Sequence, residues 1–84
     1  MSSRKTQVIS NYVEVINSGH GTGTIRVGVR LPANTTNPDR LLRSQAYSVA
    51  SENHFRNITR LGGVHTDAES DGSLWHRAVF EARR

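Results

Sequence analysis

Thr24 to Leu31 carries the clearest pattern in the chain. Ile25, Val27, Val29 and Leu31 are apolar and alternate with Arg26, Gly28 and Arg30. A period of two puts successive side chains on opposite faces of an extended backbone, so the segment predicts a half-buried strand with a cationic outer face. Pro32 has no N–H to give to a ladder and ends it. Upstream, Val8 to Ile16 is rich in β-branched residues and predicts a strand from about Tyr12 to Ile16. Asn17 to Gly23 is too dense in glycine for a regular element and reads as a loop. If the two runs pair, they form an antiparallel hairpin across it.

Beyond Pro32 the pattern predicts helices. Asn37-Pro38-Asp39 combines a capping residue, a proline for the first turn and an acid near the positive end of the dipole. It predicts a short helix from Pro38 to about Ser44 that presents Leu41 and Leu42. Tyr47 to Ala50 reads equally as a short strand or as a helical continuation. Ser51 to Gly63 predicts a second helix, with Ser51 as cap, Phe55, Ile58 and Leu61 on one face, and Gly62-Gly63 as terminator. Val64, Thr66 and Ala68 alternate with His65, Asp67 and Glu69, a weak strand signal. Ser73 caps a C-terminal helix over residues 73–84, with Leu74, Trp75, Ala78, Val79 and Ala82 as its stripe. The expected fold is a single small α+β domain over residues 1–84. It has an antiparallel sheet of two to three strands and two to three short helices packed on one face. Residues 1–6 are polar and expected to fray.

Composition adds constraint. The hydrophobic share of the 84 residues is 35%, against roughly 45–50% in ordinary soluble domains. So thin a core argues for a partner that completes it. There is no Cys, so disulfides, iron–sulfur clusters and thiolate zinc sites are excluded. No apolar run approaches the length of a membrane span. Met1 to Lys5 is basic but has no apolar stretch behind it, so a cytoplasmic location is expected. Eleven basic residues face seven acidic ones, for a net charge of +4. Every base except Lys5 is Arg, whose planar fork suits carboxylates and phosphates. A genome that favours Arg codons accounts for the same bias.

Motifs that carry chemistry are few. Gly19-His20-Gly21-Thr22-Gly23 has the look of a phosphate loop, but such a loop must open directly onto a helix, and here a strand follows. The four histidines, His20, His54, His65 and His76, lie at least eleven residues apart, and no calcium-loop spacing is present. No metal or other cofactor is implied. No Ser occupies a nucleophile elbow, so no enzyme is expected. Arg26 and Arg30 on a strand with Arg56 and Arg60 on a helix make a basic surface. Nucleic-acid binders interleave such charge with aromatics, and of the five aromatics here Phe55 and Trp75 are assigned to the core.

Phe55-Arg56-Asn57-Ile58-Thr59-Arg60-Leu61-Gly62-Gly63 resembles the most recognisable stretch of the small phycobilisome linker polypeptides of the rod-cap or core-cap type. In that family a helix bearing Arg-Ile-x-Arg-Leu-Gly-Gly leads into a final short strand. Val29-Arg30-Leu31-Pro32, Arg40-Leu41 with Tyr47, and Glu52-Asn53-x-Phe55-Arg56 follow the same order of features, so the resemblance covers about residues 25–68. It implies a non-catalytic linker or adaptor without a chromophore. Such a linker sits in the opening of acidic phycobiliprotein trimers or hexamers, on the cytoplasmic face of the thylakoid membrane. The contact residues would be Arg26, Arg30, Arg56 and Arg60, with Tyr47 as an aromatic anchor. Two other readings stand beside it: a small basic nucleic-acid-binding protein, and a structural or viral assembly subunit.

Overall fold

The computed structural model describes residues 8–84, so the expected fraying of residues 1–6 lies outside the described part. Four strands and one helix follow in the order β1 (Ser10–Gly19), β2 (Thr22–Leu31), α1 (Pro38–Glu52), β3 (Asn57–Ala68) and β4 (Leu74–Arg83). All neighbouring strands are antiparallel, and they lie in the order β1-β2-β4-β3. The single helix covers one face. This corrects the expected two to three helices on two to three strands: two of the expected helices are strands.

The hairpin forms where the alternation places it, with Val13 opposite Val27 and Val15 opposite Ile25. Its loop is much shorter than the glycine content suggests, since β1 runs to Gly19 and β2 starts at Thr22. His20 and Gly21 both have positive φ. Two left-handed residues in a row give a two-residue turn whose twist matches that of the flanking strands.

β2 supplies the centre of the core. Ile25, Val27, Val29 and Leu31 are fully buried on the face turned to α1. The helix answers with Leu42, Ala46 and Ala50, four residues apart and therefore on one stripe. It extends through Tyr47–Ala50 and reaches Glu52, well past Ser44, so Ser51 lies in its last turn and caps nothing. Asn37 stands at the N-cap position with positive φ but makes no side-chain cap hydrogen bond, while Pro38 and Asp39 occupy the first turn as expected. The C-terminal end is closed by Asn53, whose amide Nδ2 donates to the Val49 carbonyl at 2.8 Å.

β4 replaces the expected C-terminal helix. His76, Ala78, Phe80 and Ala82 are buried and recur every second residue, while Trp75, Arg77, Val79 and Glu81 lie on the other face. The cause is tertiary. β2 has one fully apolar face and needs a hydrogen-bonded neighbour on both sides, and β4 pairs with it along its whole length, from Thr22 opposite Arg83 to Leu31 opposite Leu74. β3 replaces the expected helix over Ser51–Gly63. Ile58, Thr59, Val64 and Thr66 are β-branched, which suits a pleated surface better than a helix. Gly62-Gly63 terminates nothing. Between Leu61 and His65 β3 advances four residues while β4 advances two, from Val79 to Arg77. Gly62, at positive φ, lies in the resulting bulge.

Candidate functional site: the open face of the sheet

With one helix on one side, the other side of the sheet has no covering layer among the described residues. The strand register decides what lies there. Tyr12 stands opposite Gly28, Glu14 opposite Arg26, Trp75 opposite Arg30, and Arg77 between Gly28 and His65. Tyr12 can lie across β2 because position 28 is glycine, where any Cβ would collide with the tyrosine ring. The Tyr12 and Trp75 rings are 5.8 Å apart between centroids and tilted by 46°, within the range of favourable aromatic pairs. The Arg77 guanidinium lies 5.2 Å from the Trp75 ring centre, a cation–π contact. Beside this cluster Tyr12, Arg26, His65, Thr66, Asp67, Arg77, Ala78 and Val79 border a shallow depression of about 460 Å³.

Three arginines near Trp75 and Tyr12 each have a carboxylate beside them. Arg26 meets Glu14 at 3.4 Å, Arg30 meets Asp71 at 2.9 Å, and Arg77 meets Asp67. Arg30 is the most constrained. Its Nε donates to the Ser73 hydroxyl at 2.8 Å, and that hydroxyl donates to Asp71 at 2.6 Å. The Ser73 hydroxyl and its backbone N–H, with help from Arg30, hold the Asp71 carboxylate down at about 2. The β3–β4 turn is thereby tied to β2. On the opposite face His76 is buried, with Thr66 Oγ1 at 3.3 Å from its Nδ1, and burial pushes its pKa down.

The residues expected to form one contact surface are divided. Arg26 and Arg30 share the open face. Arg60 lies on the helix side of β3 and pairs with Asp39, joining β3 to the first turn of α1. Arg56 lies just before β3 at one end of the sheet, where its N–H donates to the Arg83 carbonyl. Tyr47 is exposed on α1. Phe55 lies in the core as the sequence predicts, packed on Gly23 and covered by Arg84 at 4.7 Å. Trp75 lies on the open face and not in the expected core. Trp75, Arg77 and Tyr12 are thus the members that the sequence reading missed. The alternation Trp75-x-Arg77-x-Val79 against His76-x-Ala78-x-Phe80 is the signal that locates two of them. The segment Asn57–Gly63, which carries most of the linker resemblance, is extended here, not helical.

Comparison with protein-family models, with curated proteins and with solved structures finds no match to this chain. Among the described residues no cluster of three or more His, Asp or Glu could hold a metal ion. No helix among them is long and apolar enough to cross a membrane.

Proposed function

We propose that the chain is a non-catalytic binding module whose open sheet face docks a protein partner. One observation carries this reading: Tyr12 and Arg77 both lie against Trp75 on a sheet face that no element of the described chain covers. Trp, Tyr and Arg are the residue types that dominate the energetics of protein interfaces, because each joins a large contact area to a polar handle. Electrostatics favours a protein over a polyanion. Arg26, Arg30 and Arg77 are balanced by Glu14, Asp71 and Asp67, so this face carries little net charge of its own. A phosphate chain would meet three carboxylates as well as three guanidinium groups. The Arg26–Glu14 and Arg77–Asp67 pairs are exposed and single-pronged, a kind worth about 0–1 kcal/mol each, and their guanidinium groups keep donors for a partner's carboxylates and carbonyls. The overall charge of +4 steers the molecule towards acidic proteins. The linker resemblance points to the same class of partner, a larger acidic assembly.

A photo-crosslinking residue at Val79, on the open face beside Trp75 and Arg77, tests this in the native host. A discrete protein adduct that disappears when Trp75→Ala and Tyr12→Ala are combined is expected. No protein adduct at this position, or one that survives both changes, overturns the reading. The second reading, single-stranded nucleic acid, is favoured by the same aromatic pair, since bases stack on such rings. Quenching of Trp75 fluorescence by a single-stranded oligonucleotide at low salt, lost as salt is raised, would support it in place of the first.

A further inference from the structure

β1 is an edge strand, and among the described residues nothing pairs with its outer side. Such an edge presents a row of free N–H and C=O groups, and folded proteins usually protect it with Lys, Pro, a bulge or a covering element. From Val8 to Ile16 there is no Lys and no Pro, and the one charge, Glu14, is engaged by Arg26. The other edge of the sheet, β3, is interrupted by its bulge. The same nine residues hold most of the large apolar side chains left exposed: Val8, Ile9, Tyr12, Val13 and Ile16 are each 38–47% exposed.

What fits this edge is set by its own sequence. Val-Ile-Ser-Asn-Tyr-Val-Glu-Val-Ile has an aliphatic pair at each end and Tyr12 at its centre, so its apolar pattern reads nearly alike in both directions. A strand with that property complements itself when antiparallel. Centring the pairing on Tyr12 sets Val8 opposite Ile16, Ser10 opposite Glu14 and the two Tyr12 residues opposite each other, with each ring still turned inward over its own Gly28. It sets Ile9 opposite Val15 and Asn11 opposite Val13 on the helix side. Apolar ends meet apolar ends and no like charges face each other. Centring on Glu14 would oppose the two carboxylates. On the helix side the groove between α1 and β1, about 310 Å³ and bordered by Asn11, Val13, Ser44, Gln45, Ser48 and Val49, lies beside the seam.

We propose that the outer edge of β1 pairs with β1 of a second copy of this chain. The product is an eight-stranded sheet with a two-fold axis at Tyr12 and both open faces on the same side. This does not depend on what docks on that face. A monomer would leave the Proposed function standing, and loss of the Val79 adduct would leave the dimer standing.

Sedimentation of the full chain over a wide concentration range is expected to give a mass twice 9.3 kDa, returning to the single-chain value when Ile9→Lys and Ile16→Lys are combined. The chain has no Cys, so the register is read cleanly by oxidising a mixture of Val8→Cys and Ile16→Cys proteins. A covalent dimer that joins one of each kind is expected, with neither variant forming it alone. This mixture also decides the matter if the lysine variant does not fold. A single-chain mass at every concentration, or a dimer that the lysines leave intact, overturns the proposal.

Discussion

At position 28 a hydrogen atom in place of a side chain lets Tyr12 rest on β2 and reach Trp75. Gly28→Ala is expected to displace the Tyr12 ring. The stability cost is small, about 1 kcal/mol, because an aromatic pair of this kind contributes about that much and the ring can swing into solvent. The larger effect is loss of the near-ultraviolet circular dichroism of the Tyr12–Trp75 pair, which is the measurement to make. His76 predicts a pH dependence. Burial lowers its pKa below the ordinary 6.5, so the unfolded chain takes up a proton at a higher pH than the folded chain does. Stability therefore falls as pH drops through 6.5 and stops falling below the folded pKa. Thermal unfolding between pH 7.5 and pH 5 is expected to show this slope, and His76→Gln to reduce it. Asp71 acts in a separate window. Its carboxyl lies at about 2 against an ordinary 3.8, so its support is complete above 3.8 and is lost as pH falls towards 2. Asp71→Asn is expected to remove that acid limb and to free Arg30, read as faster exchange of the Ser73 amide.

Among the elements, β2 was legible because its inward positions from Ile25 to Leu31 are all large aliphatics and two outward positions are Arg. β4 was not, for a physical reason. Its inward row is His76, Ala78, Phe80 and Ala82, and two alanines with one histidine give a faint period-two signal. Leu74, Trp75, Ala78, Val79 and Ala82 match a helical stripe just as well, and only the need of β2 for a second neighbour decides between them. In β3 the apolar residues fall on both faces: Ile58 is on the helix side and Leu61 on the open side, which imitates a spacing of three. Of the candidate site, Arg26 and Arg30 were legible because they lie on the strand that was read correctly. Trp75 and Arg77 followed β4 into error. The helix-to-sheet contact gives a further prediction. Leu42 is fully buried beneath β2, and Leu42→Ala is expected to cost about 2–5 kcal/mol in urea unfolding, the range for truncated core leucines.

Taken whole, the molecule is a plate one sheet and one helix thick, 17 Å across its shortest dimension. Among the described residues the core closes on one side of the sheet, and Val8, Ile9, Tyr12, Val13, Ile16 and Leu61 stay exposed at the rim and on the open face. If two plates join through β1, unfolding becomes linked to concentration, since mass action favours the folded pair. The melting temperature is expected to rise as the chain is concentrated and to become independent of concentration with Ile9→Lys and Ile16→Lys. The glycine pair in β3 then acquires a meaning beyond local geometry. A regular strand cannot run along an outline broken by two surplus residues, so each subunit offers one margin that is straight from Ser10 to Asn17 and one broken near its middle. Joining β1 to β1 leaves only the bulged β3 margins outermost, which disfavours growth of the sheet into a fibre.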